Sequence, residues 1–198
     1  MTISVIGDCD TRPVLYTLMK ICQTLGDVLM VTSNNRLLRL SDTRDSFGHY
    51  QNTMIGYTTE GIDNFWEDCI YDLSDFEYII VDNMITAEAG IVIYCRGLLE
   101  SEEEKDNLEY IEDYSTIDLY AGSLVDKTTL FNCEEFEAYK DMCPINAKLA
   151  DKVASILAQP FNMSKDSLVK IATVPTSTHP KALPKQKKPK GKFGAGRR

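Results

Sequence analysis

Hydrophobic residues in the first 32 positions form two short apolar runs with a helical pattern between them. The first run is Thr2–Ile6, and the second, residues 28–31, is the continuous kind typical of a strand buried on both faces of a parallel sheet. Between them, residues 13–25 carry apolar side chains at i, i+4, i+8 and i+11, which predicts one buried helix face made of Val14, Leu18, Cys22 and Leu25. The pattern therefore predicts a strand, helix, strand unit.

The same patterning extends along the chain to residue 172. It predicts strands at 36–40, 53–57, 76–82, 90–95 and 116–121, and helices at 62–73, 98–114, 134–142 and 144–158. Residues 166–172 fit a short strand or a helix, and the polar stretch 42–52 is predicted to be a surface loop. Residues 1–172 are thus expected to form one three-layer, doubly wound α/β domain with a mainly parallel sheet.

The last residues of the chain have a different composition. From Val174 onward Pro, Lys, Gly, Ser and Thr dominate, a mixture that buries too little apolar surface to offset the entropy of ordering. We therefore expect residues 173–198, called the tail below, to be disordered. Eight of the 21 Lys+Arg and none of the 30 Asp+Glu lie in the last twenty residues, so an acidic body carries a basic tail.

The six cysteines show no CxxC pair and no metal-ligand spacing, and four of them lie in apolar or helical patterns typical of reduced, buried thiols. No N-terminal targeting pattern and no stretch of about 18 apolar residues is present, so no transmembrane segment is expected. These features favour a cytoplasmic protein. The two histidines, His49 and His179, lie in a predicted loop and in the tail, which argues against a nucleophilic triad or a zinc site.

One apolar strand carries a family resemblance. The run Tyr78-Ile79-Ile80-Val81-Asp82, in a chain of alternating strands and helices, resembles the MinD/ParA family of deviant P-loop ATPases, in which such a strand ends in the acid that faces a magnesium-bound water. The family also has a glycine-rich first turn with lysines. Here the first turn, residues 7–13, has Gly7 alone, no lysine before Lys20, and Asp8 and Asp10 where phosphates would lie.

This departure predicts a member of the family that neither hydrolyses nor binds ATP. The resemblance then implies a non-catalytic interaction module, acting through protein contacts or self-association in the assembly or positioning of a larger bacterial or phage complex. No cofactor is required for such a role.

The carboxylates of the first turn support a competing hypothesis, in which the protein is a Mg²⁺-dependent phosphoryl-transfer enzyme or a receiver-like domain. Asp8, Asp10 and Asp82 all follow strands, and if they meet at the carboxyl edge of the sheet they are suitable ligands for Mg²⁺. Such a pocket is similar to that of response-regulator receiver domains, and the Asp-x-Asp spacing to haloacid-dehalogenase phosphohydrolases. A receiver places its acceptor nearer residue 55, however, and Thr11 follows Asp10 directly instead of two places later. In the alternative without a ligand, Asp10 caps the helix and Asp8 is exposed.

The tail supports a third hypothesis, in which the protein is an accessory factor that binds nucleic acid. Its charge also suits an anionic lipid or an acidic protein surface, including residues 100–113 of the same or another copy. The aromatic content of the tail is limited to Phe193, so base stacking is not indicated. The candidate binding residues are Lys181, Lys185, Lys187, Lys188, Lys190, Lys192, Arg197 and Arg198.

Overall fold

The computed structural model of the chain describes residues 1–35, 37–40, 47–86, 88–97, 101–119 and 146–173. These residues form an α/β fold around one seven-stranded sheet, as the sequence pattern predicts. The strands are β1 Thr2–Ile6, β2 Val28–Thr32, β3 Phe47–Tyr50, β4 Thr53–Tyr57, β5 Tyr78–Asp82, β6 Ile91–Arg96 and β7 Ser115–Asp118.

The helices of the described residues are α1 Arg12–Leu25, α2 Ile62–Asp68, α3 Glu102–Glu109, α4 Ala147–Leu157 and α5 Lys165–Thr173, with short 3-10 helices at Leu37–Leu40 and Leu73–Asp75. Pro13 lies in the first turn of α1, where its missing N–H has no intrahelical partner to lose. The Asn146 side chain caps α4 by accepting from the N–H groups of Lys148 and Leu149. Local sequence therefore sets where these two helices begin.

Apolar side chains cover both faces of the sheet. On β2, Val28 and Met30 belong to one buried cluster, which α1, α4 and α5 cover, whereas Leu29 and Val31 belong to another, which α2 and the chain around Tyr71 cover. This alternation follows from the two-residue repeat of a strand. The sheet is thus the middle of three layers, and its central strands are buried on both faces.

The strand order, β3-β4-β2-β5-β1-β6-β7, places β1 between β5 and β6. All neighbouring pairs are parallel except β3 and β4, and Val5 of β1 lies opposite Asp82 of β5 and Ile93 of β6. From the end of β1 the chain passes β5 to reach β2, and from the end of β5 it passes β1, in the opposite direction along the strand order, to reach β6. The carboxyl ends of β5, β1 and β6 therefore meet at the point where the winding reverses, the usual ligand site of such sheets.

Two predicted elements were of the wrong type in whole or in part, and a predicted helix is shorter in the structure. Residues 42–52 are not all loop, because Phe47–Tyr50 is an edge strand that pairs antiparallel with β4. The predicted strand at 36–40 is a 3-10 helix over Leu37–Leu40, and the helix predicted at 62–73 ends at Asp68, where Cys69 takes an extended ψ of 120°.

Other predicted elements fall on or near residues that the structure leaves out. The segment 166–172 is helical and lies within α5, which extends to Thr173, the first residue of the predicted tail. The helix predicted at 98–114 is α3, at Glu102–Glu109. The helix predicted at 134–142 and tail residues 174–198 lie outside the described residues, and so do the lysines and arginines that the sequence assigned to binding.

Candidate functional site

Asp82 is a buried carboxylate at the centre of the carboxyl edge. It ends β5 with 3 % of its surface exposed, and its two oxygens accept hydrogen bonds from the Thr11 and Thr32 hydroxyls, at 3.0 and 2.6 Å. Thr11 precedes α1 and Thr32 ends β2, so one carboxylate joins three elements. Burial raises the pKa of Asp82 and the nearby Asp10 charge adds to the rise, while the two hydroxyl hydrogen bonds oppose it.

The backbone of the first turn is closed against β5 and β6. The Gly7 N–H donates to Asn83 Oδ1 at 2.9 Å, and the Asn83 N–H donates to the Val5 carbonyl at 2.8 Å. Gly7 has a φ of +148°, and a Cβ at this position would overlap the carbonyl oxygen of Cys95. The Cys9 thiol donates to the same Cys95 oxygen at 3.1 Å. Only glycine fits where the turn lies against the end of β6.

The two carboxylates of the first turn, Asp8 and Asp10, have partners of their own. Arg12 binds Asp10 through Nε and Nη2, both at 2.6 Å, and the Arg12 backbone N–H also donates to Asp10 at 3.2 Å. Asp8 accepts from the Ser101 hydroxyl. Asp8, Asp10 and Asp82 thus lie at one edge of the sheet, but each is engaged by a different partner. In the described ranges, no three or more His, Cys, Asp and Glu residues are grouped to hold a metal ion.

The amino end of α1 offers little to an anion. A helix ordinarily binds phosphate through the free N–H groups of its first turn. Here the Arg12 N–H donates to Asp10, Pro13 has none, and the N–H groups of Val14 and Leu15 donate to the Thr11 carbonyl at 3.0 and 3.1 Å. Because the first-turn donors are used or missing, and carboxylates stand beside them, a phosphate group would meet repulsion at this position without hydrogen bonds in return.

Sequence patterns alone did not identify three residues that close the first turn. These are Thr11 and Thr32, which donate to Asp82, and Asn83, which accepts from Gly7. Each directly follows or precedes an apolar strand or helix, which places it at the sheet edge but does not say which strands are neighbours. Asn83 has a φ of 51°, a conformation that asparagine adopts more readily than most residues. That preference was the one local signal available.

A cavity of about 390 Å³ lies further along the carboxyl edge, at the end of β4. Its apolar lining includes Phe47, Tyr57 and Phe65, and its polar lining includes Glu60 and Asp68. None of Asp8, Asp10 and Asp82 lines it, so it is separate from the first turn.

In comparisons with family models, with curated proteins and with solved structures, nothing matches this chain. Within the part of the chain that the structure describes, no helix has the length and apolar character needed to cross a membrane. Cys9, Cys22, Cys69 and Cys95 form no disulfide within the described residues, and burial raises the pKa of Cys22 far above its ordinary value. A buried, protonated thiol of this kind is inert as a nucleophile.

Proposed function

We propose that this protein is a non-catalytic module of MinD/ParA type, in which internal contacts replace the nucleotide site. Its role is in the assembly or positioning of a larger bacterial or phage complex in the cytoplasm, through protein contacts or self-association. The mainly parallel sheet, with the Asp82 strand at its centre, supports the relation to that family. No cofactor is assigned to this role.

The observation that carries the proposal is the closed first turn. The glycine amide, the helix N–H groups and the arginine that a phosphate would need all bind groups of the protein itself: Asn83, Thr11 and Asp10. The buried acid that would face a magnesium-bound water accepts hydrogen bonds from two threonine hydroxyls instead. Binding a nucleotide here would require breaking these contacts and placing a triphosphate beside two carboxylates.

The experiment is an ATP turnover assay with the purified full chain in Mg²⁺. We expect release of inorganic phosphate to stay at the rate of the buffer control, for the parent and for Asp10→Asn alike. ATP turnover by the parent that is lost in Asp82→Ala would contradict the proposal. Asp82→Asn, which keeps the shape of the side chain, is tested beside it. Loss in both variants with retained circular dichroism would separate lost chemistry from lost folding.

A further inference from the structure

A groove lies at the opposite, amino edge of the sheet, where β6 and β7 begin. It has a volume of about 550 Å³. Its walls come from the connection before β6, from the chain between α3 and β7, and from the end of α4. The lining residues used below are Ile85, Tyr110, Glu112, Asp113, Tyr114 and Pro160. We call it the amino-edge groove.

Large apolar side chains are left exposed in this groove. Tyr110 is 87 % exposed, Ile85 47 % and Tyr114 40 %. Tyr114 is held in place, since its ring packs edge-on against Tyr94 with centroids 6.0 Å apart. Elsewhere in the described part of the chain, only Met1 and Ile70 are large apolar residues of comparable exposure. These three side chains bring ring and aliphatic surface into a groove whose lining is otherwise mostly polar.

The charge of the groove has one sign. Glu112 and Asp113 line it, both exposed, and among the described lining residues there is no Lys, Arg or His. Helix α3, which leads into Tyr110, is also acidic, and its Lys105 binds Glu102 at 2.8 Å. The groove thus combines tyrosine rings with carboxylates, and its natural ligand is an extended segment that carries both prolines and cations. Proline-rich peptides bind aromatic-lined grooves in this way, because their extended conformation is already formed.

The chain itself contains a segment of this composition. Residues 184–190 are Pro-Lys-Gln-Lys-Lys-Pro-Lys, with prolines for the rings and four lysines for the carboxylates. We propose that residues 184–190 of the same chain bind in the amino-edge groove, and that they cover its tyrosines until a partner displaces them. This inference goes beyond the proposed function, because it concerns a different edge of the sheet and holds whether or not the first turn binds nucleotide.

The length of the tail permits this contact. Pro160 is a wall of the groove, and Lys165, five residues later, begins α5. An extended chain of five residues spans at most ~17 Å and a helix of nine residues is about 13 Å long, so Thr173 lies no more than roughly 30 Å from Pro160. Ten extended residues cover about 33 Å, which brings Pro184 to the groove along any path. Tethering also gives the segment a high local concentration.

The test is tryptic digestion of the full chain, with cleavage after Lys185, Lys187 and Lys190 followed by mass spectrometry. Bound lysines are cleaved only when the segment is released, so the rate reports the open fraction. We expect Tyr110→Ala, and the double variant Glu112→Lys with Asp113→Lys, each to raise the cleavage rate several-fold at low salt. Added NaCl should raise the rate of the parent in the same way.

Two matched controls isolate the groove. Ile70→Ala removes an exposed apolar side chain elsewhere, and Glu67→Lys with Asp68→Lys makes the same charge change on exposed neighbouring acids of α2. Neither should change the rate. Equal rates for the parent and both groove variants would overturn the proposal. Protection that appears only at high protein concentration would also overturn it, because the occupant would then be the tail of a second copy.

Discussion

The two edges of the sheet differ in how their polar and apolar groups are satisfied. At the carboxyl edge, a buried acid, the helix N–H groups and the Gly7 amide all have partners within the protein. At the amino edge, Tyr110 and Ile85 lie exposed in a groove of about 550 Å³. In the described residues, internal contacts therefore close the usual ligand site of a doubly wound sheet, and the opposite edge carries a groove. The difference lies in how each edge is covered: internal hydrogen bonds cover the carboxyl edge, whereas side chains with apolar surface remain uncovered at the amino edge.

The largest expected effect on the free energy of unfolding is that of a methyl group added to a glycine at the carboxyl edge, compared with one added at the amino edge. Gly7→Ala places a Cβ against the Cys95 carbonyl at a φ of +148°, and we expect a loss of about 3–5 kcal/mol in the free energy of unfolding. Gly90→Ala is the matched control, because Gly90 lines the groove and a Cβ there would lie 3.8 Å from its nearest neighbour, the Thr2 carbonyl oxygen. Its effect should stay within about 0.5 kcal/mol. Urea denaturation measures both, and equal losses would contradict the contrast.

The next effect concerns one carboxylate from each edge. Asp82→Ala removes the acceptor of two buried hydroxyls, so we expect a loss of about 2–3 kcal/mol. Asp113→Ala removes an exposed acid of the groove and should change the free energy of unfolding by less than about 0.5 kcal/mol. Thermal unfolding followed by circular dichroism compares them. A stable Asp82→Ala protein would show that the hydroxyl contacts do not hold the carboxyl edge together.

A smaller, pH-dependent effect distinguishes Asp82 from an ordinary surface acid. Because burial raises its pKa in the folded protein, folding favours the protonated form. That contribution is complete below the unfolded value, near 3.8, and is lost as pH rises through the folded pKa. Relative to Asp82→Asn, the parent should therefore lose stability as pH rises from about 4. Urea denaturation of both proteins between pH 4 and 7 measures this change, and a parent that gains stability relative to Asp82→Asn as pH rises would contradict the assignment.

The smallest expected effect is that of the exposed ion pair of the first turn. Asp10 is 43 % exposed, so solvent screens its contact with Arg12, and Asp10→Asn should cost no more than about 1 kcal/mol. Added salt should reduce this difference, which differential scanning calorimetry at two ionic strengths measures. A salt-independent loss larger than that of Asp82→Ala would instead make Asp10 the centre of the closure.

Much of the sheet could be predicted because its central strands are continuous apolar runs. The sequence predicts strands at 28–31 and 76–82, and the structure has strands there, at Val28–Thr32 and Tyr78–Asp82. Strand β3 was missed because it is an edge strand, with Phe47 and His49 only half-buried, so its composition resembles that of a loop. A periodic pattern of apolar residues arises from burial, and an edge strand is only partly buried.

The candidate site could be predicted only in part, for a different reason. That Asp82 lies at the carboxyl edge of the sheet could be predicted from its place at the end of an apolar strand. Its contacts with Thr11 and Thr32 depend on β5 lying between β1 and β2, an order that no local pattern contains. The groove was not predicted either, because Ile85, Tyr110 and Pro160 come from three separate parts of the chain.

We propose that the protein's own contacts close the first turn to nucleotide phosphate. A thermal-shift titration of the full chain with Mg²⁺, ATP and ADP, each added separately, tests it most directly, since a ligand of the native state must raise the unfolding temperature. We predict no shift with either nucleotide. A rise with ATP or ADP would contradict the account, and a rise with Mg²⁺ alone that Asp8→Asn and Asp10→Asn remove would favour a carboxylate metal site at the same edge.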